Sequence, residues 1–242
     1  MNKSLDEGIQ LASEVVNMVE DEVLDGTKVV IIPPFIHLSQ VSKIVEGSSK
    51  VSLGAQNCNE NESGAYTGEV SVSMLLSVGV DYVLVGHSER REYYHEADDL
   101  LAKKVDAVLA AGMTPIFCCG EPLEIRQAET HEDYVRNQLT QSLFHLSESD
   151  FRKLVVAYEP IWAIGTGMTA SSQQAQEMHA CIRQHLASKY GEEAATECTI
   201  QYGGSCKPSN AKEIFAGADV DGGLIGGAAL QSRDFTDIAK SF

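Results

Sequence analysis

The chain has 242 residues, 43% of them hydrophobic and 22% charged, with a formal net charge of −17. That composition is ordinary for a globular chain, and the length suits one large domain or two small ones. So acidic a surface excludes nucleic acid and acidic membranes as partners, while leaving room for a small anion in a pocket with its own local field.

No apolar run approaches the roughly 18 residues of a membrane span, and the N-terminus lacks the layout of a signal peptide, so a cytoplasmic location and no membrane partner are expected. The six cysteines (58, 118, 119, 181, 198 and 206) are then expected as free thiols. Neither CxxC nor HExxH occurs, and no metal site is expected.

In chain order, the first element is an amphipathic helix over 4–19. Ser4 and Glu7 have the spacing of a capping box, and Leu5, Ile9, Ala12, Val15, Val16 and Val19 recur at helical spacing. KVVII (28–32) reads as a strand and 37–46 as a helix; VSLGAQ (51–56) is followed by a helix near 70–78. YVLVG (82–86) precedes a helical stretch over 89–111, broken near Asp98. TPIFCC (114–119) precedes a helix near 132–146, and LVVAYE (154–159) one over 171–188. TIQYG (199–203) precedes 208–216, and GLIG (223–226) precedes 232–240. The strands are continuously apolar rather than alternating, as in parallel strands buried on both faces.

Seven strands and eight helices in alternation give an α/β chain, either a closed (β/α)8 barrel or an open doubly wound sheet. No linker-like segment divides it, so one domain over 1–242 is expected. A barrel wants eight strands, and the eighth would lie before residue 4.

The polar and glycine-rich clusters fall where a barrel builds its active site, after the C-terminal ends of the strands. HSERR follows the 82–86 strand, GE the 114–119 strand, and PIWAIGTGMTA the 154–159 strand; GSCKP and GAAL follow the last two. Gly203-Gly204-Ser205 and Gly226-Gly227, with Gly165 from the preceding loop, are candidate anion contacts, because glycine lets backbone N–H groups approach a phosphate. Taken singly, such glycines are ordinary turn residues.

Glu159 ends an apolar strand and would face the barrel mouth, where burial raises a carboxyl's pKa into the range of a general base. His87 opens a helix, a position that favours neutral imidazole as a hydrogen-bond donor. The other six histidines (37, 95, 131, 145, 179 and 185) read as surface or packing residues. Residues 160–170 have the length and glycine content of a lid. GTGMTA also fits G-x-G-x-x-A, but it does not directly follow its strand, which argues against a dinucleotide site.

Together AYEPIWAIGTG, GHSERR, GAYTGEVS, YGGS and DGGLIGGAAL, in this order and over essentially the whole chain, resemble triosephosphate isomerase. That family is the standard case for this acid–base assignment and for lid closure. The resemblance implies cofactor-free interconversion of dihydroxyacetone phosphate and glyceraldehyde 3-phosphate through an enediolate, in glycolysis and gluconeogenesis. It implies Glu159 as base, His87 as neutral electrophile and Glu89 as a supporting carboxylate. Cys118 would pack near the base, Gly165, Ser205, Gly226 and Gly227 would hold phosphate, and 160–170 would be the lid. Loop 57–69, with Thr67, would reach into a partner subunit, implying a homodimer.

Met168 stands where Lys is common in the family, and Cys119 where an aliphatic residue is usual. The family's first strand, ending in Gly-Asn-Trp-Lys, is not matched by Met1-Asn2-Lys3. A site without that Lys is expected to lose at least about a hundredfold in rate, the scale of a lost electrostatic stabiliser. Strands 28–32 and 223–226 are then expected to face a gap. Two alternatives to an active isomerase follow: a truncated barrel that binds phosphosugars with little turnover, and another phosphosugar barrel enzyme. The joint presence of Glu159, His87 and the lid argues against the latter.

Overall fold

Continuous apolar runs become strands where both faces find cover, and seven do so here. In the computed structural model, which describes residues 1–242, they are β1 (Val29–Ile31), β2 (Val51–Ala55), β3 (Tyr82–Val85), β4 (Thr114–Cys119), β5 (Val155–Tyr158), β6 (Ile200–Tyr202) and β7 (Gly222–Gly223). They form one sheet in sequence order, every neighbouring pair parallel. Helices cross between successive strands, as parallel pairing requires. Seven strands in parallel barrel order match the (β/α)8 reading with one strand fewer.

The helices differ from expectation in detail. The first runs Leu5–Glu22, and the Glu7 carboxylate accepts from the Ser4 N–H (2.7 Å) and hydroxyl (2.8 Å) as its spacing predicts. The break near Asp98 separates Ser88–Tyr94 from Asp98–Ala110, with His95 left-handed at φ 56°. Short helices at Leu123–Gln127, Glu148–Phe151 and Glu192–Glu197 have no counterpart in the sequence reading, because segments this short carry no periodicity. No helix is long and apolar enough to cross a membrane.

Two apolar layers hold the sheet. A large cluster lies between strands and helices, built around Phe117, Val156, Tyr158, Tyr202 and Ile182. A small one fills the inside of the curled sheet: Leu84, Ile116, Cys118 and Ala157, with Ile32 and Leu224 only partly buried against it. The difference has a cause. β1 and β7 are the outer strands, and no ladder joins them. Strand GLIG, expected over 223–226, shrinks to Gly222–Gly223 plus one further ladder bond from the Leu224 N–H to the Tyr202 carbonyl (2.9 Å), with β6 as its one neighbour.

The helical layer nevertheless closes over this gap. Glu22 of the first helix accepts from Arg233 (2.7 and 2.8 Å) and Lys240 (2.7 Å) of the last, and Ala239 joins Val15, Val16 and Val19 in a third apolar cluster. The free outer edges leave β1 and β7 as the least protected strands. Native-state hydrogen exchange is expected to show their amides exchanging well before those of β3, β4 and β5. Uniform protection across the sheet would contradict an open edge.

Candidate active site

β5 delivers Glu159 to the C-terminal end of the sheet, one residue past its last ladder position. The backbone there is tightly enclosed. The Glu159 N–H donates to the Cys119 carbonyl (2.7 Å), and a Cβ at Gly120 would stand 1.8 Å from the Glu159 carbonyl oxygen, so only glycine fits beside it. The side chain is 2% exposed. Its carboxylate has three donors: the Ser88 N–H to Oε2 (2.9 Å), and the Ser88 hydroxyl (3.2 Å) and His87 Nε2 (3.0 Å) to Oε1. Burial pushes the carboxyl above its ordinary range and outweighs the opposing pull of His87, the Ser88 bonds and Arg91. A raised, ionisable carboxyl in this position has the properties of a general base.

His87 caps helix Ser88–Tyr94, and the Glu89 N–H donates to its Nδ1 at 3.3 Å. With Nδ1 accepting the Glu89 N–H, Nε2 is the ring nitrogen left to donate, and it is aimed at Glu159. Glu89 therefore reaches the site through its main chain. Its carboxylate is 68% exposed, with Oε2 3.9 Å from Nδ1. Cys118 is fully buried below, its thiol pushed well up by burial and by the neighbouring Glu159 charge.

None of the remaining expected residues bonds to this pair. Gly165 sits within 160–170 at φ 67°, and Gly226 and Gly227 are exposed with open space where a side chain would be. Ser205 is half-buried, and its N–H donates to the Ala163 carbonyl of the lid stem (3.3 Å). Thr67 stands exposed in loop 57–69, whose base is tied by Asn59 to the Val70 carbonyl (2.8 Å) and the Glu69 carboxylate (2.9 Å).

Two important residues were not singled out by sequence. Ser88 holds the Glu159 carboxylate, and Glu121 holds Trp162 at the start of 160–170. Glu121 is fully buried; its Oε1 accepts from Tyr158 Oη (3.0 Å) and Trp162 Nε1 (2.8 Å), and its carbonyl from the Ile161 N–H (3.2 Å). Both lie inside strand-end clusters, HSERR and GE, which located them without assigning a task.

A protein family model described as triosephosphate isomerase matches residues 1–242. The chain belongs to the triosephosphate isomerase family. It is thus an isomerase by family. It is 61% identical over its whole length to triosephosphate isomerase of Cytophaga hutchinsonii, covering 96% of that protein. It is 56% identical to the Bacteroides fragilis protein of the same name, covering 95% of it, and 45% identical over 241 residues to that of Amoebophilus asiaticus.

Trp162 is the chain's one tryptophan, which makes the lid stem directly observable. Burial raises the Glu121 carboxyl above the 4.5 of an ordinary glutamate, against the pull of its Trp162 and Tyr158 bonds. Trp162 fluorescence is expected to titrate with a midpoint above that value, and Glu121→Gln to abolish the transition. An unshifted midpoint would contradict a buried Glu121–Trp162 bond.

Proposed function

We propose that this chain interconverts dihydroxyacetone phosphate and D-glyceraldehyde 3-phosphate through an enediolate, without a cofactor, as a cytoplasmic homodimeric enzyme of glycolysis and gluconeogenesis. The observation that carries the reading is the pairing of a buried, pKa-raised Glu159 with a His87 whose Nδ1 accepts the Glu89 N–H and whose Nε2 meets the Glu159 carboxylate. A base and an uncharged donor on one side of a pocket are what proton transfer between adjacent carbons requires.

In this reading Glu159 moves a proton between C1 and C2. To do so its carboxylate leaves Ser88 and turns to the substrate carbon, since both oxygens are engaged in the resting geometry. The His87 Nε2–H, released from Glu159, then polarises the carbonyl and serves the two enediolate oxygens in turn. Glu89 contributes its N–H, which fixes the tautomer.

Backbone N–H groups of Gly165, Ser205, Gly226 and Gly227 hold the phosphate. The Ser205 N–H is bonded to the Ala163 carbonyl, so moving the lid stem frees a phosphate donor. Closure of 160–170 excludes water and protects the enediolate from losing phosphate. Loop 57–69, exposed from residue 62 onward and including Thr67 and Tyr66, is the part that meets the partner subunit. The whole of 1–242 acts as one domain.

One observation favours the second reading, a phosphosugar-binding barrel with little turnover: the sheet is open between β7 and β1. A coupled assay with glyceraldehyde 3-phosphate separates the two. Measurable turnover, reduced by Glu159→Asp on the order of a hundredfold with KM little changed, is expected, because the shorter side chain withdraws the base by about 1 Å. Loss confined to KM would remove Glu159 as the base, and turnover at background in the parent chain would favour binding alone.

A further inference from the structure

Arg91 lies one turn into helix Ser88–Tyr94 and folds back under the strand ends, largely buried. Its guanidinium makes three bonds in one plane. Nε donates to the Gly86 carbonyl (2.8 Å), one terminal nitrogen to the Cys118 carbonyl (3.1 Å), and the other to Asp98 Oδ1 (2.6 Å). Asp98 is held in turn by the Ser142 hydroxyl (3.2 Å).

The two carbonyls are not arbitrary. Gly86 O belongs to the peptide plane that leads directly into His87, and Cys118 O lies near the end of β4, beside the strand that carries Glu159. Gly86 has φ 81°, and a Cβ on it would come within 3.1 Å of both the Arg91 guanidinium and the Cys118 carbonyl. The space that a side chain would need is filled by this knot.

We propose that Arg91 is a positioning residue of the reaction: its planar fork locks the peptide plane before His87 to the end of β4, so that His87 Nε2 and the Ser88 N–H meet the Glu159 carboxylate at bonding distance. The proposal rests on Glu159 and His87 being the reacting pair. Only a guanidinium offers three donors in one rigid plane; an ammonium keeps the charge and can still pair with Asp98, but cannot span both carbonyls in fixed geometry. Such reacting pairs tolerate errors of about half an ångström before rate is lost.

Arg91→Lys is therefore the decisive variant, compared with the parent and with Arg91→Met. The charged and titratable groups acting on Glu159 are His87, Arg91 and the thiols of Cys118 and Cys119. Donors to the carboxylate lower its pKa, so lengthening the Ser88 and His87 bonds raises it. Lysine preserves the charge, and a rise in Arg91→Lys then reports geometry alone.

The expected result is a folded Arg91→Lys chain whose Glu159 carboxyl, followed by 13C NMR, titrates at higher pH than the parent's. The acid limb of kcat/KM should move the same way, and kcat should fall on the order of tenfold to a hundredfold with KM little changed. Arg91→Met, losing charge as well, should show the larger rise. If Arg91→Lys equals the parent in both titration and kcat, Arg91 supplies only charge and packing, and the proposal is overturned. Should the parent itself lack turnover, the isomerase reading fails while the carboxyl titration still judges Arg91. Should Arg91→Lys not fold, Asp98→Asn, which leaves the guanidinium but loosens its hold, must give a smaller rise in the same direction; no rise overturns the proposal.

Discussion

A carboxylate almost completely removed from water is the constraint on which the rest of this structure depends. Glu159 would be costly to bury without compensation, and three donors from two consecutive residues, Ser88 and His87, supply it. Those donors are delivered by the start of one short helix, and their direction is set by the chain that leads into it. The neighbourhood is built accordingly: Gly120 leaves room for the Glu159 backbone, Cys118 seals the floor, and Arg91 ties the two strand ends together. Full desolvation keeps the carboxyl basic, and full hydrogen bonding keeps it in place. Relaxing either would change the carboxyl's pKa or its position.

Loop 160–170, the proposed lid, is linked to the same arrangement by two bonds of opposite kinds. At its stem, Glu121 holds Trp162 and Tyr158 from a buried position, with one carboxylate oxygen left without a partner. At its far side, the Ala163 carbonyl occupies the Ser205 N–H. The stem is thus anchored beneath and engaged above, and any displacement of 160–170 changes both. Thr166 and Gly165 between them have only local bonds, such as Thr166 Oγ1 to the Trp162 carbonyl (2.8 Å). Few contacts beyond the loop itself resist movement there.

Much of this was legible in the sequence, for physical reasons. A strand buried on both faces is written as a continuous apolar run, and polar residues stopping such a run mark its end; Glu159 and His87 were singled out that way, and the structure brings them into contact. What escaped depends on contacts between segments far apart in the chain. Ser88 reads as a helix-start serine until β5 places a carboxylate above it. Glu89 reads as an acidic neighbour of His87, yet contributes an N–H and points its carboxylate to solvent. Glu121 gains its importance from Trp162, forty-one residues later. GLIG has the composition of a full strand, but only Gly222–Gly223 pair with β6, its one neighbour. Closure of the helical layer by Glu22, Arg233 and Lys240 joins the two ends of the chain and leaves no local signature.

The protonation of His87 is the claim that holds the account together, since a ring protonated on Nδ1 could neither accept the Glu89 N–H nor be oriented by it. Its direct measurement is the 15N NMR spectrum of the histidine ring nitrogens at neutral pH, with His87 assigned by His87→Gln. An unprotonated Nδ1 with a single proton on Nε2 is the predicted result. A ring carrying its proton on Nδ1, or on both nitrogens, would contradict the account.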